Sequence, residues 1–402
     1  SPLTKKLVSE GAHIIYGQKV ENITRDIGCV VYTAAINRNN PELIEAVALK
    51  IPMLTRAELL GQLMKNYDTP IAVSGTHGKT TTTSMISHIL LAGEMDPTIS
   101  VGGILKALGG NIRVGNSEIF VTEACEYTNS FLSFFPKISV ILNIDEDHLD
   151  FFKDLEDIRN SFHRFAKLLP KDGTLVINGD IDRLDEITGD LDCKIVTYGT
   201  NPSATYHAAN VTHDELGEAS FDLVKNGEFV DRISLSVSGD HNVSNALAAL
   251  AVADLLDVNV SVAKKGLKEF HGTDRRFEYK GETNGVTIID DYAHHPTEIA
   301  ATLTAARNYP HGRIICVFQP HTYTRTKAFW NQFSDALTLA DVVVLADVYA
   351  ARETDTLGIH CEDLADDIRR KGTESYYFPS FDAIENFLLE TCTDNDLILT
   401  MG

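Results

Sequence analysis

The stretch "AVSGTHGKTTTTSMI", residues 72–86, decides how the chain reads. Gly78, Lys79 and Thr80 supply the end of the phosphate-binding pattern Gly-x-x-x-x-Gly-Lys-Ser/Thr, but its first glycine belongs at position 73, which is Val73. An apolar strand up to Gly75, a tight turn through Thr76, His77 and Gly78, and a helix opening at Lys79 would still aim backbone N–H groups and the positive helix end at a phosphate. Lys79 would neutralise phosphate oxygens, and the Thr80 hydroxyl would ligate Mg²⁺. The competing reading is a glycine-rich turn with a surface lysine. The β-branched run Thr80–Thr83 is a poor helix start on propensity alone, which favours nucleotide binding.

Outward from this loop the text alternates strands and helices, predicting an α/β chain with parallel sheets. Before it, "AHIIYG", "GCVVYTAAI" and "IPMLT" are short apolar runs between helical patterns, and Asn40 before Pro41 is a helix cap with proline at the first helical position. After it, "EIFVTEA", "ISVILNID", "GTLVING" and "CKIVTYG" continue the alternation. Beyond Thr200 the pattern turns antiparallel, with a hairpin around Asn226-Gly227, and "HNVSNALAALAVADLLD" closes the region as a helix. From Thr273 the β-α-β spacing resumes. The expected domains are 1–68, 69–272 and 273–402, in line with a length of 402 residues and roughly 100–200 residues per domain.

A net charge of −22 argues against nonspecific nucleic-acid binding, because phosphate backbones select basic surfaces. No apolar run reaches the roughly 18–20 residues of a membrane helix. The six cysteines lack a CxxC pair and suit a reducing compartment, so a cytoplasmic protein without a membrane partner is expected.

Polar clusters follow several apolar strands. "VTEACEYTNS" places Glu123 and Glu126 at one strand end, and "ILNIDEDHLD" places Asn143, Asp145, Asp147, His148 and Asp150 at another. Strand ends form the ligand crevice of doubly wound sheets, so Glu123 and His148 could converge on the loop and hold a divalent ion. For Glu126 and Asp150 a solvated-loop or capping reading is at least as good. His241, Asn242 and Asn245 stand in "SGDHNVSNALAAL", where spacing alone favours helix capping over reading an adenine edge. "GTDRRFEY" carries Arg275 and Arg276, "DDYAHHPTE" carries Asp290, Asp291, Tyr292, His294 and His295, and "FQPHTYTRT" carries His321 and Arg325. Singly, His295 and Arg275 read as a satisfied histidine and a surface ion pair. Together the clusters point to a site, since gathering unpaired polar groups costs stability.

Taken in order, "GTHGKTTT", "EACE", "NIDEDHLD", "HNVSNALAA", "GTDRRFE", "DDYAHHPTE" and "FQPHTYTRT" resemble the Mur ligase family, the ATP-dependent amide-forming enzymes of bacterial cell-wall precursor synthesis. The resemblance implies a truncated Rossmann-like N-terminal domain for a UDP-sugar, a central P-loop-type ATPase domain, and a C-terminal Rossmann-like domain for the incoming amino acid. It implies a ligase joining L-alanine to the carboxylate of UDP-N-acetylmuramate with ATP and two Mg²⁺ ions, Mn²⁺ being a possible substitute, in a monomer or homodimer. By motif, Gly75, Thr76, His77, Gly78, Lys79, Thr80 and Thr81 would hold ATP, with Thr80 on one metal ion and Glu123 and His148 on the second. His241, Asn242 and Asn245 would face adenine or the neighbouring metal. Arg276 and Asp291 would reach phosphates and ribose, completing a catalytic set with Lys79, Glu123 and His148. Tyr292, His294, His321 and Arg325 would line the site for alanine and the muramoyl carboxylate.

Some positions depart from the family pattern. Ligases acting later in the pathway resemble one another in a carbamylated lysine about fifteen residues after the histidine of "EDHLD", where this chain has His163. Thr322 stands where relatives often have arginine. Both ends look cut, since a glycine-rich UDP turn is expected before Ser1 and further glycines after Gly402. Rival readings are another Mur-type or folylpolyglutamate-type ligase, a P-loop ATPase that moves a partner, and a non-catalytic sugar-nucleotide binder.

Overall fold

The structure is a computed structural model and describes residues 2–33, 36–351, 353–355 and 357–402. The chain divides into two compact units, one of residues up to Asn66 with Ser133–Phe135, the other of Tyr67–Leu132 with Pro136–Gly402.

In the first unit Val30–Tyr32 and Met53–Thr55 form a two-stranded parallel sheet. Helix Pro41–Ala48 starts where expected, with the Asn40 side chain accepting from the Glu42 and Leu43 N–H groups. Thr55 and Glu58 form a reciprocal capping box at the head of helix Arg56–Met64. The apolar run "AHIIYG" is not a strand: residues 12–17 are irregular, with Ile15 and Tyr16 exposed. A period of apolar residues without a paired ladder leaves backbone groups to water, and the run takes no sheet register.

The second unit contains a ten-stranded and a six-stranded sheet. Across the larger, the order is Glu228–Ser238, Glu218–Lys225, Tyr206–His213, Lys194–Gly199, Thr174–Asn178, Ile138–Ile141, Thr69–Ser74, Ile119–Glu123, Thr98–Leu105 and Gly110–Arg113. Thr69–Ser74 pairs in parallel with Ile119–Glu123 on one side and Ile138–Ile141 on the other. The chain first moves out to one side of this strand and later to the other, which opens a crevice at its carboxyl end. Val73, fully buried, is opposite both Glu123 and Val140, so a core valine occupies the place of the missing glycine. Asn226 and Gly227, both at positive φ, make the hairpin turn.

Behind the crevice, helix Lys79–Ala92 packs on Asp240–Leu255 and Val260–Lys268 within one apolar core. Gly266 permits the close crossing, since a Cβ there would lie 2.6 Å from Ile89 Cα. The smaller sheet runs Glu278–Thr283, Val286–Asp291, Leu397–Met401, Ile314–Phe318, Val342–Leu345 and Glu374–Tyr377, all parallel after the first antiparallel pair. Its carboxyl ends deliver Asp291 and the segment after Phe318.

Candidate active site

The loop between Ser74 and Lys79 is built to receive an anion. Gly75 and Gly78 have φ of 146° and 82°, and Gly78 opens helix Lys79–Ala92 with no side-chain cap, leaving N–H groups of the first turn unclaimed. A Cβ on Gly78 would sit 2.7 Å from Asn245 Oδ1. Asn143 clamps the turn from the neighbouring strand end: the His77 N–H donates to its Oδ1 at 2.8 Å, and its Nδ2 donates to the His77 carbonyl at 3.0 Å. Thr76 Oγ1 accepts from the Asp145 N–H at 2.9 Å.

Lys79 Nζ folds over this turn, donating to the Gly75 and Thr76 carbonyls at 2.5 and 3.0 Å and to Glu126 at 3.0 and 3.2 Å. Burial works against its charge, but Glu126 outweighs that and raises its pKa, so the ammonium stays charged. Glu126 is 2% exposed, which overturns the solvated-loop reading of that residue. Asp150 is exposed and accepts from the Tyr127 hydroxyl at 2.8 Å. Thr80 Oγ1 donates to Glu123 Oε2 at 3.1 Å, and the Gly102 N–H reaches the other Glu123 oxygen at 2.5 Å. His148 Nε2 is 3.9 Å from Glu126 and 3.7 Å from Asp147, and no hydrogen bond or ion pair among the described residues joins it to Glu123.

A cavity of about 600 Å³ opens beside the loop, lined by His77, Gly78, Thr81, His241, Asn242, Asn245, Arg276 and Asp291 among others. The capping reading of Asn242 and Asn245 fails. Gly239 caps the helix without a side-chain bond, while Asn242 Nδ2 donates to the Ser238 carbonyl at 2.7 Å and Asn245 Nδ2 to Asn242 Oδ1 at 3.1 Å. The two amides therefore form a fixed polar wall. Asp291 accepts from the Phe277 and Ala293 N–H groups at 2.9 and 2.8 Å, and burial pushes its pKa up to about 6 although Arg276 opposes this. Burial, with Arg276 nearby, pushes the His241 imidazole down, favouring its neutral form.

A second cavity of about 380 Å³ is lined by Asp147, His148, His321, Thr322, Arg325 and Glu353 among others. Arg325 Nη2 and Nε donate to Asp147 Oδ1 at 2.9 and 3.2 Å, and Nη1 stands 3.1 Å from His321 Nδ1. Burial opposes the Asp147 charge, but His148 and Arg325 hold the carboxyl well below the usual range. His294 lies beside His321, ring centroids 6.0 Å apart. Tyr292 is half-exposed, stacked under Arg275 and Arg276 at 4.7 and 5.6 Å, and lines neither cavity. Residues 142–145 border the larger cavity and 147–150 the smaller, so one strand-end segment divides them.

His295 is a satisfied histidine and Arg275 forms an ion pair, as expected of each taken singly. His295 is buried, bonded to the Glu146 carbonyl at 2.8 Å and capping Thr297, and Arg275 pairs with Asp290 at 3.3 Å. His163 faces Asp190 at 2.7 Å on helix Leu155–Ala166 and lines neither cavity, so it takes no part there. Glu298, which pairs with His77 at 3.2 Å, carries no sequence signal beyond a helix start after Pro296.

The sequence matches the family models described as Mur ligase family, catalytic domain, at residues 1–68, Mur ligase middle domain at 73–253, and Mur ligase, glutamate ligase domain, at 275–402. It is 58% identical to the UDP-N-acetylmuramate--L-alanine ligase of Agathobacter rectalis over 402 residues, covering 100% of this chain and 88% of that one. It is 56% identical to the protein of the same name from Lachnospira eligens, with the same coverage. Among solved structures, the UDP-N-acetylmuramate-alanine ligase of Thermotoga maritima has a TM-score of 0.82 at 29% identity, over 99% of this chain and 87% of that one. With all three domain types matched in order and this similarity along its whole length, the chain belongs to the Mur ligase family and has its three-domain α/β architecture.

Proposed function

We propose that this protein joins L-alanine to the carboxylate of UDP-N-acetylmuramate using ATP, giving UDP-N-acetylmuramoyl-L-alanine, ADP and phosphate for peptidoglycan synthesis. The observation that carries the reading is the pair of cavities on either side of residues 142–150, with His148 lining the smaller one 3.9 Å from Glu126, the ion-pair partner of Lys79. One suits a nucleotide with its phosphates on an uncapped helix start, and the other suits small anionic substrates beside Arg325. The names of the relatives support the same reaction.

In this account ATP lies in the larger cavity, with its phosphates on residues 75–81 and its base and ribose near His241, Asn242, Asn245, Arg276 and Asp291. The muramoyl carboxylate and alanine occupy the smaller cavity, held by His321 and Arg325 with His294 and Tyr292 nearby. The carboxylate attacks the γ-phosphorus, and the amine then displaces phosphate from the acyl phosphate. Two anions must meet in the first step. Lys79, charged and aimed by Glu126, offsets that repulsion as charge develops on the transferring oxygens. Contacts from the C-terminal sheet, such as His295 to Glu146 and Arg325 to Asp147, enclose the site and keep water from the acyl phosphate.

The oxygen pair of Thr80 and Glu123 fits Mg²⁺, a hard cation that takes carboxylate and hydroxyl oxygens, while the His148 imidazole is a softer donor. When bound, Mg²⁺ supplies Lewis-acid neutralisation of the phosphate charge. We assign UDP-sugar, nucleotide and amino-acid binding to residues 1–68, 69–272 and 273–402. No helix among the described residues is long and apolar enough to cross a membrane. A cytoplasmic monomer or homodimer acting on small molecules follows from the reading.

The test is phosphate release from ATP with UDP-N-acetylmuramate and each amino acid in turn. L-alanine should stimulate it most. Preference for glutamate or a diamino acid, or hydrolysis independent of any amine, would sink the proposal.

A further inference from the structure

The ring of His77, 15% exposed, reaches two carboxylates on different elements. Nε2 is 3.4 Å from Asp145 Oδ2, after strand Ile138–Ile141, and Nδ1 is 3.2 Å from Glu298 Oε1, in the first turn of helix Pro296–Arg307. A neutral imidazole has one N–H and one lone pair, whereas carboxylates only accept, so the imidazolium is the form that satisfies both contacts. Burial opposes the charge, but hydrogen bonds to Asp145 and Glu298 outweigh it and raise the His77 pKa to about 9.

Ligand atoms of His77, Asp145 and His295 lie within 4.8 Å of one another, which raises a metal ion as an alternative. The ring nitrogens argue against it. His295 spends Nε2 on the Glu146 carbonyl and Nδ1 on the Thr297 N–H, and a doubly protonated His77 has no lone pair to give. The cluster is an ion-pair link.

Glu298 extends the link in two directions. It stands 3.8 Å from Arg276, which borders the larger cavity, and 3.6 Å from the Nδ1 of His294, and it accepts from the His294 backbone N–H at 3.2 Å. His294 neighbours His321 in the wall of the smaller cavity. One residue of the phosphate loop is thus tied, through one carboxylate, to a group on each side of the reaction.

Resting on the ligase reading above, we infer that His77 is a positioning residue: its side chain, through Glu298, sets Arg276 and His294 in register with the phosphate loop rather than holding phosphate itself. The groups facing it are Asp145 and Glu298, the His295 ring at 4.8 Å, and Arg276 and His294 beyond Glu298.

His77→Gln and Glu298→Gln test this, with ADP affinity measured by calorimetry and kcat and KM by alanine-dependent phosphate release. Both should bind ADP within about threefold of wild type, while kcat falls on the order of a hundredfold, the loss typical of misplaced reacting groups. The wild-type kcat should decline as pH rises toward 9, and His77→Gln should lack that limb. A tenfold loss of ADP affinity with kcat retained would make His77 a phosphate ligand and overturn the inference, as would unchanged kcat. If His77→Gln does not fold, Glu298→Gln decides by the same criteria. A wild-type protein that binds ADP but releases no phosphate with any amino acid would overturn the ligase reading instead.

Discussion

Replacing Glu126 by alanine would leave the Lys79 ammonium with only the Gly75 and Thr76 carbonyls as acceptors. The two side chains are 16% and 2% exposed, so water replaces little of the lost charge. Removing one partner of a buried ion pair costs about 3–5 kcal/mol. Glu126→Gln keeps the shape and one acceptor oxygen for the ammonium but removes the compensating charge, so it should lose less than the alanine variant. Urea denaturation should therefore rank wild type above Gln and Gln above Ala. A triphosphate beside Lys79 would restore the missing negative charge, so a non-hydrolysable ATP analogue should stabilise Glu126→Ala more than wild type, by about 2 kcal/mol. An alanine variant that loses less than about 1 kcal/mol would show the pair to be no stronger than a surface one. Equal stabilisation of both proteins by the analogue would show that Lys79 does not meet the phosphates.

Three further outcomes follow from the same geometry. Gly78→Ala forces a side chain into φ 82°, at about 1–2 kcal/mol, and pushes on Asn245, so ADP affinity should fall about tenfold; an unchanged Kd would show that the left-handed turn is dispensable. Gly266→Val places carbon against the Ile89 backbone and should lower the urea midpoint by the equivalent of about 1–3 kcal/mol, with no loss if the helices separate freely. Asp291 has a folded pKa near 6 against an ordinary 3.8, so the folded state binds the extra proton. Stability from this group is present below pH 4 and lost as pH rises through 6, on the order of 2–3 kcal/mol. Asp291→Asn should lack that slope in denaturation curves taken between pH 4 and 7, and an identical slope would contradict the assignment.

Local signals in the sequence carried much of the fold. Asn40-Pro41 and Asn226-Gly227 encode a cap and a turn within a few residues, and both formed. "AHIIYG" misled because an apolar run says nothing about whether a neighbouring strand will accept its hydrogen bonds. In the site, Gly78 and Lys79 were legible because a glycine turn before a helix has a local physical meaning. Glu126 was not, since its burial depends on Lys79, 47 positions away. Asn242 and Asn245 have the spacing of caps, but Gly239 caps the helix, and the two amides bond to the Ser238 carbonyl and to each other in the cavity wall. The Glu298–His77 contact spans 221 positions, beyond the reach of any periodicity.

In the proposed reaction the carboxylate attacks the γ-phosphorus of ATP before the amine attacks its carbonyl carbon. UDP-N-acetylmuramate labelled with ¹⁸O in its lactyl carboxylate, turned over with ATP and L-alanine, tests it by mass spectrometry of the released phosphate. One ¹⁸O should appear in each phosphate formed, and unlabelled phosphate at full amide yield would rule out the acyl phosphate.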